Sequence, residues 1–180
     1  MNRHAIDKNG IALNAQFIAS ANFDERPSHE ISLIVVHNIS LPPGEYGGAG
    51  IIELFTNQLD PQAHPYYAGI HQHKVSAHFL IRRDGQLVQF VSCLKRAWHA
   101  GVSQWQQRER CNDFSVGIEL EGSDFEVFTE VQYASLQILL AALQLSYPIQ
   151  AIVGHSDIAP GRKTDPGPFF DWQRISPLND

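Results

Sequence analysis

Cysteine is scarce in this chain: Cys93 and Cys111 are the only two in 180 residues. They are too few for a disulfide scaffold and too far apart for a close zinc-thiolate pair, so both read as reduced, structural side chains. Clustered positive charge is missing as well. The 13 Lys and Arg are scattered and outnumbered by 19 Asp and Glu, and a formal net charge of -6 excludes a broad nucleic-acid footprint. No apolar run approaches the roughly 20 residues of a membrane span, and the segment from Met1 to Gly10 has no apolar stretch of signal-peptide length. The expectation is a cytoplasmic protein with neither a nucleic-acid nor a membrane partner. Repeats, low complexity and linkers are also lacking, so residues 1–180 read as one domain, large enough for its own core.

Histidine is abundant, with nine, and two of them follow apolar runs. Ile31 to Val36 reads as a buried central strand that His37 closes, and a last strand from Gln150 to Gly154 delivers His155. Ile51, Ile52, Phe55 and Leu59 recur at helical spacing before Pro61, whereas 63–74 lacks periodicity and reads as a surface loop near a site mouth. Ala77 to Arg82 and Gln86 to Val91 flank Asp84-Gly85, the signature of an antiparallel hairpin. In Ser115 to Glu121, Val116, Ile118 and Leu120 alternate with Gly117, Glu119 and Glu121, which predicts one packed face and one carrying carboxylates. Thr129 and Gln132 form a capping box for an amphipathic helix through Leu143. Roughly five strands and two or more helices in mixed order predict an α/β fold, a single domain with a central mixed β-sheet flanked by helices.

His37, His155 and Asp165 form a candidate metal triad. Two imidazoles and one carboxylate leave a fourth zinc position open, the pattern of a catalytic site, and the loop carrying Asp165 is stiffened by Pro160, Pro166 and Pro168. If Lys163 to Asp165 is extended, Lys163 faces the same side and supplies positive charge for an oxyanion, while Glu119 serves as general acid and base. Together these would cleave an amide. Each residue also has a structural reading: His37 as a hydrogen-bonded core residue, Asp165 as a turn cap, Glu119 and Glu121 as a solvated face. His71-Gln-His73 is a competing metal pair on a less rigid loop.

The segments Val75-Ser-Ala-His78, Lys95-Arg-Ala-Trp-His-Ala-Gly101, Gly117-Ile-Glu-Leu-Glu-Gly122 and Arg162-Lys-Thr-Asp-Pro-Gly-Pro168 resemble the N-acetylmuramyl-L-alanine amidase type 2 family, and the likeness runs from about Asn22 to Trp172. The resemblance implies the fold shared with peptidoglycan-recognition proteins, a Zn2+ on His37, His155 and Asp165, and Glu119 and Lys163 as catalytic residues. It implies hydrolysis of the bond between the lactyl group of N-acetylmuramic acid and L-alanine. The branch it looks most like takes anhydromuropeptides released in wall recycling, and the expected acting form is a monomer. By the same analogy Asn38, Tyr46, Lys74, Ala97, Trp98, His99 and Arg110 contact substrate, with Lys74 where that branch would place arginine; His78 is a further candidate for substrate contact. The rival reading is a non-catalytic muropeptide-binding module of the same fold, which typically lacks a metal ligand. A zinc peptidase would need the His-Glu-x-x-His helix motif, and none occurs.

Overall fold

The computed structural model describes residues 5–175. Ten strands appear in chain order: β1 (Gln16–Phe17), β2 (Phe23–Glu25), β3 (Leu33–Ile39), β4 (Phe79–Ile81), β5 (Leu87–Gln89), β6 (Lys95–Ala97), β7 (Gln104–Trp105), β8 (Arg108–Glu109), β9 (Ser115–Glu121) and β10 (Ala151–Gly154). Six of them form a mixed sheet in the order β1-β5-β4-β9-β3-β10. β4, β9, β3 and β10 run parallel, and β5 turns back antiparallel on β4 through the Asp84-Gly85 turn, where Gly85 has φ 84°. The hairpin is thus where the sequence placed it. Two small ribbons, β2 with β6 and β7 with β8, were not anticipated; strands of two or three residues are too short to display a period.

Three helices accompany the sheet: α1 (Gly50–Phe55), α2 (Glu130–Ser146) and α3 (His155–Ile158). The predicted cap of α2 is present, with Gln132 N donating to Thr129 Oγ1 at 3.2 Å and Thr129 N donating to Gln132 Oε1 at 3.0 Å. Gln132 Nε2 also donates to the Glu121 carbonyl at 2.9 Å, which ties the helix start to β9.

Alternation along the strands divides the core. On one face, Ile34, Val36, Ile118 and Leu120 pack beneath Leu136, Leu140 and Leu143 of α2. On the other, Leu80 and Val88 join Leu54 and Phe55 of α1 in one cluster, while Leu33, Val35, Phe114, Val153 and Ile158 form a second. His37 and Glu119 project from this divided face.

Two expectations change. β3 continues two residues beyond His37, which therefore sits inside a strand. All seven residues of β9 are buried, so Glu119 and Glu121 do not form a solvated face. The reason is the strand's place between β3 and β4, with chain covering both sides.

Candidate metal centre

Register assembles the site. His37 pairs with Glu119 across β3 and β9, and Val36 pairs with Gly154, so His155 leaves β10 beside His37. His155 opens the single turn of α3, and the loop after it returns to bring Asp165 alongside, with Ser156 N donating to the Asp165 carbonyl at 3.0 Å. His37 Nδ1, His155 Nδ1 and Asp165 Oδ2 then stand 3.0 Å from one another. Among the described residues these three are the one cluster of metal-ligating type; His71, whose Nδ1 faces the Tyr67 and Ala68 carbonyls, belongs to none.

The donor set fits a cation. His155 Nε2 donates to the Ala100 carbonyl at 3.1 Å, which leaves its Nδ1 bare toward the centre. His37 Nε2 lies 3.0 Å from His99 Nδ1, consistent with the same tautomer. Two lone pairs and a carboxylate oxygen at such spacing repel unless a positive charge lies among them. Donors of a four-coordinate ion with bonds of roughly 2.0 Å stand about 3.3 Å apart, close to the triangle observed. Burial pushes His37 down to about 4, against the pull of the Asp165 carboxylate, so the ring is neutral and able to ligate near pH 7. Burial acts to raise the Asp165 carboxyl, but its contacts with His155 and His37 outweigh that and hold it below the ordinary range.

Two carboxylates on one strand face have opposite surroundings. Glu121 is satisfied: Oε1 accepts from Gly47 N at 2.7 Å and Oε2 from Arg83 N at 3.0 Å, which fastens two loops to β9. Glu119, only 8% exposed, has an Oε2 with no hydrogen-bond partner among the described residues. Burial raises its carboxyl well above the ordinary range, the Asp165 carboxylate adds to this, and Lys163 opposes it. A buried carboxyl with a raised pKa and an oxygen unpaired among the described residues, in one cleft with three converging side chains of metal-ligating type, is chemically able to take up and release a proton.

A cleft of about 220 Å³ contains His37, Glu119, His155, Lys163 and Asp165, together with Asn38, Trp98 and His99. An adjoining cleft of about 250 Å³ adds Lys74 and Arg162, and a wider one of about 540 Å³ beyond Gly101 holds Arg110. The candidate substrate residues therefore spread along a groove, with two exceptions. Tyr46 lines a separate depression with Glu45, Glu53 and His64, and Ala97 is wholly buried in the α1 cluster. Asn38 Nδ2 is already committed to Asp124 Oδ1 at 2.7 Å, and Arg110 pairs with Asp113 at 3.3 Å. His78 is fully buried: its Nδ1 accepts from Gly117 N and its Nε2 faces the Lys95 carbonyl, each at 3.0 Å.

Sequence reasoning missed Asn112, whose Oδ1 accepts from both His99 N (3.2 Å) and Ala100 N (2.9 Å), and Asp124, which joins Asn38 to Thr164. Nothing local marks either one. Gly117 did carry a signal, because a glycine inside a strand points to close approach by another group: a Cβ there would lie 2.6 Å from His99 Nδ1.

The sequence profile described as N-acetylmuramoyl-L-alanine amidase matches residues 27–168. The chain belongs to the N-acetylmuramoyl-L-alanine amidase family. It is 58% identical over 172 residues to the 1,6-anhydro-N-acetylmuramyl-L-alanine amidase AmpD of Escherichia coli (strain K12), covering 94% of each chain. Identity to the AmpD of Haemophilus influenzae is 52% over 169 residues, 92% of each chain. The fold agrees with a crystal structure of a selenomethionine AmpD derivative at a TM-score of 0.91 and 57% identity, covering 93% of this chain and 96% of that one. A complex of the Escherichia coli amidase AmiD with anhydro-N-acetylmuramic acid-L-Ala-D-gamma-Glu-L-Lys is more distant, at 26% identity and a TM-score of 0.60 over 97% of this chain and 65% of that one. Membership in the family makes this chain an amidase, and none of its described helices is long and apolar enough to cross a membrane.

Proposed function

We propose that this amidase hydrolyses the amide between the lactyl group of 1,6-anhydro-N-acetylmuramic acid and L-alanine, in anhydromuropeptides of peptidoglycan recycling. It does so with Zn2+ held by His37, His155 and Asp165. The single observation that carries the catalytic reading is Glu119 Oε2, a buried carboxylate oxygen without a hydrogen-bond partner among the described residues, in the cleft that also holds His37, His155 and Asp165. A purely structural carboxylate in that position would be satisfied, as Glu121 is. The substrate assignment is supported by the AmpD names of relatives that match along nearly their whole length.

When bound, the ion supplies a water acidified to near neutrality and polarises a carbonyl oxygen. Glu119 takes the water proton through Oε2 and returns it to the departing amide nitrogen, a double duty suited to a carboxyl whose pKa lies above its ordinary range. Lys163, on the same cleft wall, offsets the negative charge that builds on the carbonyl oxygen at the tetrahedral stage. The groove past Trp98, Lys74 and Arg110 offers cations to a peptide carboxylate. We place the reaction in the cytoplasm with a monomer as the acting form; two buried free thiols, Cys93 and Cys111, suit a reducing compartment.

Mass spectrometry of anhydromuropeptide incubated with the purified chain, with and without chelator, is the test. Free peptide and sugar released only in the metal-replete sample is the expected result. Binding without cleavage would favour the non-catalytic module, and cleavage between amino acids would favour a peptidase.

A further inference from the structure

One short segment provides the outer partner of both ligand histidines. His155 Nε2 faces the Ala100 carbonyl at 3.1 Å, and His37 Nε2 faces His99 Nδ1 at 3.0 Å. The single oxygen of Asn112 pins both residues through their backbone N–H groups. The His99 ring stands edge-on to His37, with centroids 5.1 Å apart and an interplanar angle of 83°, and its Nε2 reaches Ser115 Oγ at 3.3 Å. It lies against β9 in the space that a side chain at residue 117 would fill. Gly117 in turn donates its N–H to His78 Nδ1, so the strand beneath the ring is itself held.

The protons in this chain run in one order. A ligating Nδ1 must be bare, so His37 carries its hydrogen on Nε2, and the atom facing it must accept. That makes His99 Nδ1 an acceptor, places the His99 hydrogen on Nε2, and directs it to Ser115 Oγ. The reverse order would point a His37 Nδ1 hydrogen into the triad, where an ion has to bind. Both His99 ring nitrogens are thereby used inside the protein, although the family resemblance implies substrate contact for this residue.

We propose that His99 is a positioning residue. By accepting from His37 Nε2 and donating to Ser115, it keeps His37 in the tautomer and orientation of an Nδ1 metal ligand. The inference rests on the metal triad of the proposed function, and extends it to a residue that touches neither the ion nor the reacting atoms.

Zinc affinity, measured on the full chain by competition with a chromogenic chelator, tests it separately from turnover. His99→Phe keeps a flat ring but offers no acceptor, and is expected to weaken zinc binding about 10–100-fold. His99→Asn presents an amide oxygen where Nδ1 was and is expected to recover most of that loss. Ser115→Ala is expected to give an intermediate loss. The visible absorption of the Co2+-substituted protein is expected to shift in His99→Phe and return in His99→Asn, a pattern that simple loss of packing would not produce. Wild-type affinity in folded His99→Phe, or equal weakening in the Phe and Asn variants, overturns the inference. Should His99→Phe not fold, unchanged affinity in Ser115→Ala overturns it instead. A wild-type chain that takes up no zinc refutes the triad itself. Zinc uptake that is lost in His37→Ala but intact in His99→Phe refutes the positioning role alone.

Discussion

Replacing Glu119 by glutamine has opposite consequences for stability and for catalysis. In the metal-free protein the ionised carboxylate is buried with Oε2 unpaired among the described residues, and such a group costs about 2 kcal/mol of folding free energy. Glutamine has the same shape without the charge, so Glu119→Gln is expected to be the more stable form. For a chain of this length about 2 kcal/mol corresponds to about 4–8 °C in unfolding midpoint. The sign with pH follows from linkage: the folded carboxyl titrates above its unfolded value, so the native state holds the proton more tightly. The penalty is therefore absent below the unfolded value near pH ~4.3, grows as pH rises toward the folded value, and is complete above it. Thermal unfolding of chelator-treated wild type and Glu119→Gln, followed by circular dichroism across this range, should give curves that diverge as pH increases. Turnover of the zinc-loaded variant should meanwhile fall on the order of 10²–10⁴-fold, about 3–5 kcal/mol of barrier. A stability gap independent of pH, or a variant less stable than wild type at pH 8, would refute the reading of Glu119 as a buried base whose Oε2 is unpaired among the described residues.

Three other outcomes are expected. His155→Ala should lose both retained zinc, read by elemental analysis after dialysis, and turnover; normal hydrolysis would remove His155 from the ligand set. Lys163→Ala should lower kcat on the order of 10²–10³-fold with KM changed far less, and a change confined to KM would make Lys163 a substrate anchor instead. Thr129→Ala, which deletes the α2 cap and a 2.8 Å bond to the Arg83 carbonyl, should lower the unfolding midpoint by about 2–4 °C for about 1 kcal/mol while activity is kept. A loss of activity at unchanged stability would contradict that purely structural assignment.

Much of the scaffold was legible in the sequence because its signals are local. The apolar run ending at His37, the Asp84-Gly85 turn and the Thr129/Gln132 cap each act within a few residues, and the structure carries all three. The burial of β9 was not legible, since alternation looks the same whether the polar face meets water or another layer. Nor was the contrast between Glu119 and Glu121, two residues apart on one face. What separates them is Gly47 and Arg83, brought to one carboxylate and not to the other by chain folding.

By itself the sequence determined which chemical groups are available: two histidines after apolar runs, a carboxylate on a proline-stiffened loop, a lysine beside it and a glycine within a strand. Only tertiary structure decided what they do together. Strand register set His37 beside Glu119 and brought His155 next to them, and the packing of 98–100 against β9 turned His99 inward. Contacts between residues more than a hundred positions apart depend on how sheet and loops close, which no short window of sequence encodes.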